Sequence, residues 1–312
     1  MSGRKLLIVA RTRIQTLMPA AEKPLPATLA GIACGTGAAL FWAAGFVVAR
    51  HGIAAGFSPA DIAFHRFVWI GLAFLPFVAR DGLVDLGGIG WPRAIVLTLL
   101  VGPIFAIVSF AGFLWVPLGH AGVIQPSCAA LGGLLLAALV LKEKLPASRI
   151  TGAAMIVIGL IVIGLEALAT IGTHGLLGDF AFAVAGLMFA TFSTLLRLWR
   201  ITPMRAVAVI SVVSIVDLPV HWLAFGFEHM IALGWWENLL QIVMQGVFAG
   251  ALATYWFARA VVLLGVGRAA VFPSLVPGFT LLIGTLLGDV PSIAQFVGFA
   301  IVLVGFRLTQ RA

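Results

Sequence analysis

Two stretches, Gly31–Arg50 (GIACGTGAALFWAAGFVVAR) and Gly178–Arg197 (GDFAFAVAGLMFATFSTLLR), decide how this chain folds. Each is 20 residues long, made almost wholly of apolar and small side chains with Asp179 as the one acid, and closed by an arginine. About 20 such residues wound as a helix cross the hydrocarbon of a bilayer. Aligned end to end, they share Gly31/Gly178, Ala38/Ala185, Leu40/Leu187, Ala43/Ala190 and Arg50/Arg197, all 147 positions apart, with Trp42 opposite Phe189. A membrane helix therefore occurs twice, at a fixed interval.

Working outward, the same interval pairs Pro126-Ser127 with Pro273-Ser274. After one deletion, Glu143, Gly152, Ala154 and Gly159 pair with Asp289, Gly298, Ala300 and Gly305. Apolar runs between charged or Gly/Pro punctuation predict ten spans, near 28–50, 60–79, 94–115, 119–141, 148–168, 178–199, 203–226, 236–259, 266–288 and 291–308. The fold expected is all-α and integral to the membrane: ten transmembrane helices as two five-helix repeats, residues 28–168 and 178–308. Five is odd, so the second copy enters from the opposite side and the repeat is inverted.

Composition agrees. The 312 residues are 62% hydrophobic and 10% charged, too few charges to solvate a globule. The net charge of +8 is spread singly between apolar runs rather than along one face, which argues for a bilayer and against nucleic acid as partner. Ten spans place 17 of the 19 Lys and Arg on the side of the termini and of the even-numbered connections; the exceptions are Arg50 on the other side and Arg66 inside a span. By the positive-inside rule both termini are expected in the cytoplasm, in a bacterial inner membrane. Residues 1–27 read as a basic, partly amphipathic cytoplasmic arm, because the run Leu6–Ala10 is too short for a signal peptide and Arg11 and Arg13 close it.

Cys34 and Cys128 each sit in an apolar run, which supports neither a disulfide framework nor a metal site. No Gly-x-x-x-x-Gly-Lys-Ser/Thr loop is present to bind ATP, and no cofactor is expected. Charges inside spans are costly and face a bundle interior, which singles out Arg66 and Asp217: their depths permit a pair, and they are candidates to bind a zwitterionic cargo's carboxylate and amine or to form a proton relay with His65 and His221. Trp42, Phe46, Phe110, Phe189 and Trp256 are the aromatic side chains most central by depth and repeat position. Gln125, Gln245 and Ser193 add neutral hydrogen-bonding groups for a cargo's polar end. Pro126 and Pro273 interrupt equivalent helices, and Pro277 adds a second break; all three are hinge candidates.

The repeat, with an acid after the fourth span in Leu141-Lys142-Glu143 and its echo in Gly288-Asp289, resembles the ten-helix EamA-type branch of the drug/metabolite transporter superfamily. That branch more often has Gly-Glu in both places, so each copy departs by one residue. Within it, the chain looks like the aromatic amino-acid exporters of the YddG type. The resemblance implies a secondary transporter of a small molecule, amino acids above all, with a central cavity between the repeats. Helix 1 carries no acidic residue, so the coupling carboxylate of the four-helix multidrug members has no counterpart. An integral-membrane enzyme, a channel, or a carrier of a sugar, nucleobase or lipophilic cation are the alternatives. Oligomeric state is left open, with a monomer admissible.

Overall fold

A computed structural model describes residues 25–170, 172–264, 269, 272–288 and 291–309. Residues 1–24 of the expected N-terminal arm lie outside the described residues, and Leu25, the first described residue, is helical. In chain order the long elements are α1 (Leu25–Ala55), α2 (Pro59–Asp81), α3 (Trp91–Leu114), α4 (Leu118–Leu139) and α5 (Ala147–Thr170). They continue as α6 (Thr173–Trp199), α7 (Pro203–Ala224), α8 (Trp235–Leu264), α9 (Phe272–Leu286) and α10 (Ile293–Thr309). No strand occurs among the described residues.

The eight helices α1 to α8 are long and apolar enough to cross a membrane; α9 and α10 are shorter apolar helices. At 1.5 Å per residue the 17 residues of α10 span roughly 25 Å, a little under a bilayer core. The expected ninth span began at 266, and residues 265–268, 270 and 271 are outside those described.

Several helices are not regular throughout. Gly102 and Pro103 break α3, residues Ser214–Val216 form a tighter 3₁₀ turn in α7, and Ile242–Leu252 of α8 is wound as a π-helix. Such irregular backbone survives in a bilayer because neighbouring helices satisfy or cover it. The entry to α2 is fixed locally: Ser58 Oγ accepts from the Asp61 N–H at 3.2 Å, and the Asp61 carboxylate accepts from the Ser58 N–H at 2.8 Å. Gly56, at φ +116°, makes the turn before it.

Glycines set the closest helix pairs. In α5 and α10, a Cβ on Gly152 would lie 2.6 Å from the Gly305 carbonyl oxygen, and one on Gly159 would lie 2.6 Å from that of Gly298. The two helices are thus antiparallel and touch backbone to backbone, the packing small residues permit where lipid gives no hydrophobic driving force. A Cβ on Gly186 of α6 would meet the Gln125 carbonyl of α4 at 2.4 Å, and one on Gly132 would meet Leu187 and Ala190, so α4 and α6 run parallel. Gly35 of α1 takes the Phe272 ring, while Ala39 and Ala43 cluster with Val276, which makes α1 and α9 parallel as well. Gly178 meets Val116 at the end of α3, and Gly31 meets Leu263 and Leu264 at the end of α8.

The three prolines of the sequence reading lie in helical segments. Pro126 lies inside α4, where a proline removes one backbone hydrogen bond. Pro273 sits in a 3₁₀ turn, Phe272–Leu275, and Pro277 in the first turn of the helix that follows it.

Candidate functional site

Polar side chains inside the bundle gather into three groups. The deepest joins α1, α2 and α8. Arg66 Nη1 donates to Gln245 Oε1 at 2.9 Å, and Gln245 Nε2 donates to the Gly45 carbonyl at 2.7 Å. One turn away along α8, Gln241 Nε2 donates to the Val48 carbonyl at 3.0 Å. Both glutamines are fully buried. Gly45 and Gly52 leave the space these amides occupy on α1. Arg66 and Gln245, both expected at a cargo site, are therefore brought together.

Arg66 and Asp217 are not. Arg66 is engaged by Gln245, whereas Asp217 opens the last stretch of α7 with its Oδ2 buried and without a hydrogen-bond partner among the described residues. His65 is held by both nitrogens. The Trp69 indole N–H donates to Nδ1 at 3.1 Å, so Nε2 must carry the proton it gives to Asn238 Oδ1 at 3.0 Å.

The second group lies where α4, α5, α6 and α10 converge. His120, fully buried, reaches Asp179 at 2.7 Å through Nδ1 and Gln295 at 3.3 Å through Nε2; Gln295 also donates to Glu166 at 3.1 Å. The third is at the far end of α4 and α6, where Arg197 bonds Glu143 and Arg149 lies 4.0 Å from the same carboxylate. Neither group was expected as a site from the sequence, because each residue sits near a span end and resembles an interface charge until the helices are assembled.

Two cavities open on the bundle. One, of about 260 Å³, is lined by Ser193, Thr194, Arg197, Glu143, Gly133 and Ala137. The other, of about 360 Å³, is lined by Arg50, Val47, His51, Pro117, Leu118 and Gly284. Their linings touch α4 at Ala137 and at Leu118, 19 residues apart, which is roughly 28 Å along a helix. They therefore lie at opposite ends of the bundle.

Between these ends lie the aromatic residues singled out above. Trp42 of α1 packs on Phe257 of α8 with ring centroids 5.5 Å apart, Trp256 packs on Phe41 at 5.1 Å, and Phe46 meets Phe113 at 6.3 Å. Phe110 is in the main core. Phe189 is 41% exposed and has Phe192 of its own helix as ring neighbour, so Trp42 and Phe189 belong to separate ring pairs. Gln125 accepts from the Ser109 hydroxyl at 2.6 Å, joining α4 to α3, and Ser193 donates to the Phe189 carbonyl at 2.8 Å.

A bundle of long apolar helices, polar groups at membrane depth and cavities at both ends is what a solute carrier requires. Residues 29–165 match the EamA-like transporter family. The EamA-like match covers most of α1 to α5, and it suggests a membrane transporter of small molecules rather than an enzyme. With eight long apolar helices, it supports a multi-pass membrane protein. A solved structure described only as "Crystal structure of protein" is 19% identical, covers 92% of this chain and 98% of its own, and superposes with a TM-score of 0.60. At that identity the likeness concerns the fold. No curated protein matches the sequence.

Proposed function

We propose that the protein is a secondary transporter that carries a small metabolite, most consistently an amino acid, across a bacterial inner membrane by alternating access between two inverted five-helix halves. One observation carries the reading: the two cavities share repeat-equivalent lining positions. Arg197, Thr194 and Ala137 line one; Arg50, Val47 and Gly284, each 147 positions away, line the other. A single-sided pocket would give no such correspondence.

Helix packing supports it further. The Gly178–Val116 contact becomes Gly31–Leu263 under the same shift, and Gly152–Gly305 becomes Gly298–Gly159 under a shift of 146. A repeat pair of this kind can exchange two equivalent conformations, opening one cavity as the other closes. Both termini and the Arg197 cavity then face the cytoplasm, and the Arg50 cavity faces outward, in accord with the distribution of basic residues.

Amino-acid cargo, aromatic ones favoured as in YddG-type exporters, is supported by the chemistry between the cavities. Arg66, Gln245 and Gln125 offer donors for a carboxylate and acceptors for an amine, and Trp42, Phe46 and Trp256 offer rings. Thermal unfolding of the detergent-purified protein across a metabolite panel tests this, since a ligand selective for the folded state raises the melting temperature. Aromatic amino acids are expected to stabilise; stabilisation by sugars or nucleobases alone would reassign the cargo.

A further inference from the structure

Resting on the transporter reading, we propose that the Glu143–Arg197 ion pair is a latch that ties the two repeats together across the cytoplasmic cavity and must part for that cavity to open. The pair crosses the boundary between the halves. Glu143 follows α4 of the first repeat, and Arg197 lies in the last turn of α6, in the second. Both line the cavity of about 260 Å³, and both stand at its mouth: Ala129, the deepest lining residue of α4, lies eight residues before Ala137, roughly 12 Å further in.

Local structure aims the acid at the arginine. Lys142 adopts φ +54°, which turns the chain back after α4, and the Glu143 N–H donates to the Ala137 carbonyl at 3.0 Å. The carboxylate is thereby fastened to the end of α4 and moves with it. Deeper in the bundle, α4 and α6 touch where Gly186 meets the Gln125 carbonyl and Gly132 meets Ala190. Contact at that depth leaves the two helices free to splay at their cytoplasmic ends, which is where the ion pair joins them. Arg149, from the same repeat as Glu143, lies 4.0 Å from its carboxylate, so the acid keeps a cation beside it when Arg197 withdraws. The side chains of Arg197 and Glu143 are 59% and 34% exposed, and a pair so placed biases a two-state balance several-fold at most. A strap that breaks in every turnover requires no more.

The repeat supplies a counterpart at the other end. Arg50, equivalent to Arg197, lines the cavity of about 360 Å³. Asp289 is equivalent to Glu143, and Gly288 before it, at φ +94°, is equivalent to Lys142. The helices concerned, α1 and α9, again come from different repeats and run parallel, as α4 and α6 do. Asp289 itself lies outside the described residues. The same acid and base in the second copy make Arg50 and Asp289 the outer latch, closed when the inner one is open.

Two thiol reporters test the latch without any cargo. In a background with Cys34 and Cys128 replaced by Ser, Gly133→Cys places a thiol in the inner cavity, where a Cβ meets nothing within 4 Å, and Ala54→Cys places one in the outer cavity. Maleimide labelling of the detergent-purified protein should rise several-fold at position 133 in Glu143→Gln and in Arg197→Gln, and fall at position 54. Lys144→Gln, which removes an exposed charge from the same connection, should change neither. The two latch substitutions alter the local charge in opposite senses, so a rise in both reports opening rather than thiol ionisation. The double variant should match either single one, because one and the same pair is lost in all three. Unchanged rates, additive effects, or a rise at position 133 without a fall at position 54 overturn the latch. If no member of the metabolite panel shows counterflow in proteoliposomes, the transporter reading fails, and the labelling pattern decides the latch independently.

Discussion

Gly152 of α5 and Gly305 of α10 lie so close that a methyl group built on either falls 2.6–2.7 Å from the other's carbonyl oxygen. Gly159 and Gly298 repeat the arrangement two turns along, at 2.6 and 2.9 Å. No flexible side chain can yield at these points, since the obstacle is backbone. Gly152→Ala or Gly159→Ala must force α5 from α10, and overpacking of this kind costs about 1–3 kcal/mol. Thermal unfolding in detergent should show both variants destabilised, whereas Gly133→Ala, whose Cβ meets nothing within 4 Å, should be close to neutral.

Gln245 satisfies Arg66 and the Gly45 carbonyl at once. Gln245→Leu keeps the volume roughly constant but leaves both without their partner. Each abandoned group costs about 1–3 kcal/mol, more for the charged one. A marked fall in unfolding midpoint is expected, with Gln245→Glu retaining more stability than Gln245→Leu because a carboxylate still accepts from the guanidinium.

Orientation is testable by labelling. Single cysteines at Thr173 and Leu233 lie at the α5–α6 and α7–α8 connections, on the side proposed to face outward. A membrane-impermeant maleimide should reach both in intact cells. Labelling that appears only after permeabilisation would reverse the assigned sidedness.

Aromatic cargo is expected to sense Trp42. Stacking beyond burial is worth about 0.5–1.5 kcal/mol, so Trp42→Leu should weaken phenylalanine transport roughly 2- to 12-fold while leucine or threonine changes less. Competition assays compare the cargoes in one preparation. Equal losses for all would remove the aromatic pocket from the account and leave the carrier in place.

The helices were legible in the sequence because lipid makes one rule dominate: backbone polar groups must bond within a helix, so apolar runs of sufficient length read directly as α1 to α8. The breaks within them were not. Pro277 looked like an interruption, and its place in a first turn depends on where the helix starts, which neighbouring packing decides. Arg66 and Gln245 could be singled out by cost, since polar groups at membrane depth are rare. Asp61 could not. Beside Ser58 and Pro59 it reads as an ordinary capping acid, and its contacts with His221 and His229 come from residues about 160 positions later that only the packing of α2 against α7 brings near. The His120–Asp179–Gln295 group was hidden for the same reason.

Counterflow in proteoliposomes tests alternating access most directly. Vesicles preloaded with an unlabelled aromatic amino acid and diluted into the labelled compound should accumulate label transiently, with saturable initial rates that unloaded vesicles do not match. A carrier whose two cavities open in turn must show this trans-stimulation. Label entry that rises linearly with concentration and is indifferent to the preload would contradict alternating access and make the protein a channel.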